Sequence, residues 1–316
     1  MNKEALNSYN LVTILGPTAS GKTTLAAHFA NRIGGEIISA DSRQVYRGMD
    51  LGTGKDIADY TVNGVTVPSH LINIVNAGYK YNVYEFQKDF VSAFNSISSH
   101  GAMPVLCGGS GLYLEAVLKG FELISVPENP QLREELSRKN HEELIAMLSS
   151  LRSLHNQSDT CSTKRLVRAI EIEHFQHNNP AKNNNFPSLN PIIFGVRFSR
   201  IQERTRITER LKARLNEGMI DEVKSLIDSG IPVADILYYG LEYKWITLYL
   251  IDQVDYNTMF EKLNTAIHQF AKRQMTWFRR MERNGTDINW VDGNLTMEQK
   301  LEIMMDRINY KKANSF

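Results

Sequence analysis

Apolar residues along the chain alternate between short unbroken runs and stripes repeating every three to four residues, the pattern of strands alternating with helices. Leu11–Leu15, LVTIL, predicts a buried strand, and TTLAAHFANRI behind it predicts a helix. GGEIISAD then gives a turn and a short strand ending at Asp41. His70–Val75, HLINIV, predicts a further strand. Phe86, Phe90, Phe94 and Ile97 recur at helical spacing over Val83–Ile97. Met103–Cys107 is another buried strand, running into GGSGLYLEAVL, a glycine turn that opens a helix. A β-loop-helix-β start of this kind predicts an α/β domain with a parallel sheet.

The pattern changes near Lys119. Short amphipathic helices rich in Glu, Arg, Lys and Leu follow Pro127 and Pro130, closed by the polar stretch HNNPAKNNNFPSLNP. Pro191–Phe198, PIIFGVRF, then predicts a return strand. The expected organisation is a core of residues 1–118 and 191–316, with residues 119–190 as a helical insertion domain. Beyond the return strand the chain predicts helices at Arg200–Leu215, Met219–Asp228 and Thr258–Arg283, the last with Phe260, Leu263, Ile267 and Phe270 as its apolar stripe. Arg206, Arg210 and Arg214 share one helix face, as do Lys272, Thr276, Arg279 and Arg283 on the longest helix. A solvated face and a phosphate-binding face both fit such stripes.

The chemistry is concentrated where the first strand meets the first helix. GPTASGKT, residues Gly16, Pro17, Thr18, Ala19, Ser20, Gly21, Lys22 and Thr23, fits G-x-x-x-x-G-K-[ST] between a strand and a helix, the context that motif requires. The glycines let the backbone wrap an anion, and the amides of Thr18 to Thr23 are expected to point inward at a helix N-terminus. Lys22 adds a full charge and Thr23 a hydroxyl for Mg²⁺. Asp41 ends a strand at the edge where α/β sheets bind ligands, near the cradle if the two strands are neighbours. The segment after it, SRQVYRGMDLGTGKD, reads as an active-site loop rather than core. A nucleoside triphosphatase often carries a second aspartate at a strand end; this chain has Cys107 and Gly108 there. A small-metabolite kinase with ATP in the cradle and Asp41 as base remains open at this point.

Composition narrows the setting. A net charge of +1 over 316 residues excludes a broadly basic nucleic-acid binder and leaves room for local basic patches. No apolar run approaches the roughly 20 residues of a membrane helix, so a soluble, cytoplasmic protein is expected. Cys107 and Cys161 lie far apart and form neither a disulfide framework nor a zinc motif.

Five segments in order, GPTASGKT, DSRQVYRGMDLGTGK (Asp41–Lys55), VLCGGSGLYLEAVL (Val105–Leu118), TKRLVRAIEI (Thr163–Ile172) and AKRQMTWFRR (Ala271–Arg280), resemble the tRNA dimethylallyltransferases of bacterial type. The resemblance implies a P-loop NTPase-like parallel sheet flanked by helices, with a small helical insertion domain. It implies transfer of a dimethylallyl group from dimethylallyl diphosphate to the exocyclic N6 amine of the adenosine 3′ of the tRNA anticodon, with release of pyrophosphate. By position, Lys22, Thr23, the loop amides, Mg²⁺ and Arg210 would neutralise the diphosphate, and Asp41 would accept the amine proton. Ser42, Arg43, Gln44, Ser110, Arg133 and the run Lys164, Arg165, Leu166, Val167 and Arg168 fall where the family meets tRNA. The partners implied are the anticodon stem-loop of tRNAs reading codons that begin with U, and dimethylallyl diphosphate; no membrane is implied, and a monomer is expected. The sequence departs from the family at ILYYGLEYKW, where Gly240 is followed by Leu241, Glu242 and Tyr243 instead of tyrosine, a basic and an acidic residue. That departure keeps a tRNA-binding protein without catalysis as a further alternative.

Overall fold

The computed structural model describes residues 8–153, 160–179 and 186–313. Two compact units emerge: 8–121 with 187–313, and 122–186. Residues 180–185 of the polar stretch before the return strand lie outside the described residues.

The larger unit is built on strands β1 (Leu11–Leu15), β2 (Gly35–Ala40), β5 (Ser69–His70), β6 (Met103–Gly108), β7 (Pro191–Arg197) and β8 (Asn289–Asp292). They form one parallel sheet in the order β5-β2-β6-β1-β7-β8. Helices cover both faces, which is why LVTIL and MPVLCG read as continuous apolar runs rather than alternating ones. On one face Val12, Ile14, Ile37, Val105, Ile192 and Phe194 pack against Leu25, Phe29 and Ala30 of α1 (Lys22–Ile33). The other face is covered by α2 (Val83–Ser99), which buries Phe86, Phe90, Phe94 and Ile97 and is started by a reciprocal Asn82–Glu85 capping box. Strands β3 (Thr61–Val62) and β4 (Val65–Thr66) form a separate hairpin around Asn63–Gly64, both with positive φ, as a tight two-residue turn requires.

The structure differs from the sequence reading at four places. First, β2 is not the neighbour of β1: β6 lies between them. Second, HLINIV contributes only its first residue to the sheet. Leu71 and Asn73 take positive φ, and the amides of Asn73, Ile74 and Val75 donate instead to the carbonyls of Gln44 and Val45. Third, the loop after Asp41 is substantially core, since Val45, Tyr46 and Met49 are fully buried. Fourth, β8 was missed: four residues between two long helices carry too short a pattern to separate from a connection.

The remaining helices of this unit are α3 (Gly111–Leu118), α7 (Arg200–Asn216), α8 (Met219–Asp228), α9 (Val233–Ile236), α10 (Leu241–Leu250), α11 (Tyr256–Arg283) and α12 (Met297–Ala313). The buried stripe of α11 is Met259, Leu263, Ile267, Ala271, Gln274, Phe278 and Met281. Phe270, expected in that stripe, is exposed. The smaller unit holds α4 (Pro130–Ser137), α5 (His141–Leu151) and α6 (Thr163–Asn178), around a core of Leu132, Leu136, Leu144, Leu148, Leu166 and Ile170. Among the described residues no helix is long and apolar enough to cross a membrane.

At the amino ends of the strands, Glu36 is held by His70 at 2.7 Å and His100 at 2.8 Å. Burial raises the Glu36 pKa, but the two imidazoles outweigh it and hold the carboxyl below its ordinary value of 4.5. A depressed carboxylate pKa stabilises the fold above 4.5 and loses that contribution as pH falls through the folded value. Between pH 5 and 3, about where carboxylates titrate, Glu36→Gln should therefore flatten the loss of stability seen in the parent chain, read as urea midpoints against pH.

Candidate functional site at the carboxyl edge of the sheet

In register, Leu15 of β1 pairs with Gly108 of β6, and Gly108 pairs with Ala40 of β2. Three strands therefore end at one level, and the residues that follow them, Gly16, Gly109 and Asp41, share one edge. The middle strand has no room for a side chain there: a Cβ on Gly108 would stand 2.2 Å from the Ala40 carbonyl oxygen, and one on Gly109 2.5 Å from Gln274 Nε2. Gly109 also leaves room for the Lys22 side chain, whose Cε would lie 3.4 Å from a Cβ there, and Lys22 and Asp41 line the same cavity although their strands are not adjacent. An aspartate at the end of β6 would fill that space.

The edge opens into a cavity of about 330 Å³. Thr18, Ala19, Ser20, Gly21, Lys22 and Thr23 line it, with Asp41, Ser42, Arg43, Gln44, Ser110 and Arg210. Of the predicted loop residues only Gly16 and Pro17 do not line it; Gly16 is packed against the Val196 carbonyl and Ser20, where a Cβ would meet atoms at 2.9 and 2.7 Å. The Pro17 carbonyl accepts from Lys22 Nζ at 3.3 Å. Burial drives the Lys22 ammonium below its ordinary pKa, opposed by the charge of Asp41.

The Thr18 amide corrects the expectation that every loop amide points into the cradle. It donates to Gln274 Oε1 at 2.9 Å, while Gln274 Nε2 donates to the Gly109 carbonyl at 2.8 Å. Gln274, nearly buried on α11, thus staples the loop after β1 to the turn after β6. The sequence signal was its place in AKRQMTWFRR. Ser20 Oγ is buried with no hydrogen-bond partner in the structure, a polar atom suited to an anion in the loop.

The arginine stripe of α7 faces this edge. Arg206 Nε donates to the Ala19 carbonyl at 3.0 Å, Arg214 Nη2 donates to both Asp56 oxygens at 2.9 and 3.0 Å, and Arg210 lies 3.5 Å from Asp56. Burial, with Arg214 alongside, brings Arg210 down to about 10. Glu242 also lines the cavity, and burial raises its pKa against the pull of Arg214 and Arg210. Cys107 beneath the loop is pushed up to about 12 by burial, an inert thiol.

The Asp41–Lys55 loop is fixed from outside the motif. The Glu222 carboxylate accepts from the amides of Asp50, Leu51 and Gly52 at 2.7, 2.7 and 3.0 Å and from Tyr243 Oη at 2.7 Å. Lys55 Nζ, fully buried, reaches Asp50 Oδ1, Asn73 Oδ1 and the Tyr46 carbonyl. Within the loop Asp41 Oδ1 accepts from the Arg43 amide, the Ser42 amide donates to Ser110 Oγ, and Gln44 bonds Ser39 and the Gly54 carbonyl.

The remaining predicted residues belong to the smaller unit. Arg133 and Arg168 both pair with Glu171, whose side chain is 1% exposed, and Arg168 also donates to the Val126 carbonyl. Leu166 is fully buried in that unit's core and Val167 packs against it, so neither is the exposed contact expected. Lys164 and Arg165 are exposed.

The sheet order, the loop at the end of β1 and the cavity beside it define an α/β protein of P-loop NTPase-like fold. Within that class the chain belongs to the IPP transferase family, whose profile matches residues 44–281, with an isopentenyl transferase profile matching residues 9–66. It is 56% identical to tRNA dimethylallyltransferase 2 of Bacteroides fragilis over 95% of this chain and 98% of that one. It is also 56% identical to tRNA dimethylallyltransferase 1 of Porphyromonas gingivalis over 93% and 98%. Among solved structures it resembles the full-length tRNA isopentenylpyrophosphate transferase of Bacillus halodurans, at a TM-score of 0.70 and 31% identity over 97% and 98% of the two chains.

Gln274→Ala would strand the Thr18 amide and the Gly109 carbonyl. At about 1–3 kcal/mol per buried polar group left unpaired, the urea midpoint should fall clearly; an unchanged midpoint would mean the staple carries no load.

Proposed function

We propose that the chain transfers the dimethylallyl group of dimethylallyl diphosphate to the N6 amine of the adenosine 3′ of the anticodon in tRNA, in the cytoplasm and as a monomer. The observation that carries this reading is the convergence of Lys22 and Asp41 on one cavity, beside a strand end reduced to glycine. The curated relatives at 51–56% identity over most of the chain bear the name of this reaction.

The chemistry needs a proton acceptor, a site for the leaving diphosphate, and access for a base removed from its stack. The N6 lone pair attacks the first allyl carbon as the bond from that carbon to the diphosphate oxygen breaks, and pyrophosphate leaves with the bonding pair. Asp41 is fixed by the Arg43 amide and set to take the proton the amine loses. Lys22, Arg210 and the loop amides of Ala19 to Thr23 compensate the charge gathering on the diphosphate. Among the described residues no group of three or more His, Cys, Asp or Glu could hold a metal alone. Mg²⁺ needs only one or two protein oxygens beside phosphate oxygens, and the Thr23 hydroxyl with the cavity carboxylates is a hard-oxygen set that fits it. When bound there it would add charge neutralisation at the diphosphate.

The adenosine must be extruded to reach Asp41, as enzymes acting on bases do. Ser42, Arg43, Gln44 and Ser110 would line its path. In the smaller unit Lys164 and Arg165 would meet tRNA phosphates, while Arg133, Leu166, Val167 and Arg168 hold the unit in shape through Glu171 and the core.

Transfer of radiolabelled dimethylallyl from its diphosphate to tRNA lacking the modification, with Mg²⁺ and beside an ATP-hydrolysis assay, tests the reading. Label in tRNA without ATP turnover is expected; ATP turnover without label would overturn it. Asp41→Ala should cut the rate roughly a hundredfold or more, the usual worth of a positioned base, with diphosphate affinity nearly intact. Lys164→Ala combined with Arg165→Ala should weaken tRNA binding and shallow its log–log salt slope by about 1.5, the loss of two phosphate contacts.

A further inference from the structure

Two exposed aromatic side chains stand beside the cavity and take no part in the chemistry above: Phe270 lines it, and Tyr238 directly precedes Tyr239 and Gly240, which do. Tyr238 is 54% exposed and Phe270 is 38% exposed. They come from different elements, Tyr238 from the turn between α9 and α10 and Phe270 from α11. Each sits with an arginine that lines the cavity. The Arg43 guanidinium lies 5.2 Å from the Tyr238 ring centroid and its Nη2 donates to the Tyr238 carbonyl at 2.9 Å. Arg273 lies 5.9 Å from the Phe270 ring.

Single exposed aromatics need no explanation. These two are separated in sequence, come from either side of one cavity's lining, and each sets a π-face beside a guanidinium. A nucleotide of single-stranded RNA offers the complement, a base with two π-faces and a phosphate beside it. From Phe270 the exposed side of α11 continues through Lys272, Arg273, Arg279 and Arg283, a positive path leading away from the mouth. An apolar peptide on the same rim would bury Arg43 and Arg273 without charge compensation.

We propose that Tyr238 and Phe270 are stacking posts for the two unpaired bases of the tRNA anticodon loop that bracket the extruded adenosine; this rests on the transfer reaction proposed above. The posts replace the stacking that the neighbouring bases lose when the adenosine leaves. They thereby hold the loop open over the cavity. RNA affinity then depends on the rings, while the diphosphate is held at the loop after β1.

The test places 2-aminopurine immediately 5′ or 3′ of the reactive adenosine in an anticodon stem-loop. Binding to the unmodified enzyme should quench both probes. Tyr238→Ala and Phe270→Ala should each abolish the quench at one position and raise KM for the stem-loop about tenfold, the worth of one stacked base, with the effect absent from KM for dimethylallyl diphosphate. Tyr238→Phe and Phe270→Tyr keep a ring and should restore the quench. If the parent enzyme transfers label to the stem-loop while both alanine variants keep quench and KM, the posts are refuted and the transfer reaction stands. A parent enzyme without transfer refutes the reaction, and the posts with it.

Discussion

A single steric constraint organises the site: β6 ends in two glycines between β1 and β2. The β1 end carries the loop that delivers Lys22, and the β2 end carries Asp41. A side chain on Gly108 or Gly109 would collide with the Ala40 carbonyl or with Gln274. The cation and the carboxylate therefore line one cavity on either side of a bare strand end. Burial destabilises the Lys22 ammonium, and Asp41 offsets part of that cost. The presence of both groups in one cavity, rather than either residue alone, separates this edge from an ordinary phosphate loop.

Rigidity at that edge comes from a half-buried carboxylate and a buried ammonium that are fully used. Glu222 accepts four hydrogen bonds, three from the backbone of the loop after Asp41 and one from Tyr243. Lys55 spends all three of its protons on oxygens of the same region. Such groups are costly to bury when unsatisfied and hold one geometry when satisfied. The result is a glycine-punctuated loop packed like core, with Tyr46 edge-on to Tyr239 at 4.8 Å. A loop presenting a base to Asp41 needs that stiffness, because a misplacement of about an ångström already costs much of a catalytic group's effect.

The sequence shows the strands and the phosphate loop well, because continuous apolar runs and a glycine-lysine-threonine turn are local patterns. It shows Asp41 through its place at a strand end. What it hides is non-local. Nothing in HLINIV says that its amides will pair with Gln44 and Val45 instead of the sheet. Nothing in Leu166 or Arg168 distinguishes a residue packed on Glu171 from one aimed at a ligand, since both sit on a basic helix. Phe270 fits an apolar stripe by spacing, yet it is exposed beside the cavity because the buried arc of α11 passes through Ala271 and Gln274. Helical periodicity gives the width of a face but not the point where a cavity interrupts it.

The departure at Gly240 acquires a physical meaning from these contacts. Tyr243 packs its ring where a Cβ on Gly52 would stand at 2.7 Å and gives its hydroxyl to Glu222, so this residue is part of the floor of the Asp41–Lys55 loop. Glu242 lines the cavity with Arg210 and Arg214, and burial raises its pKa against their pull. The segment is thus bonded into the site rather than eroded from it, which argues against a chain that has lost its chemistry. A decaying site would leave orphaned partners around a changed residue. Here Tyr243 completes the Glu222 carboxylate and Arg214 is matched by Asp56, so the altered sequence and its surroundings form one self-consistent arrangement.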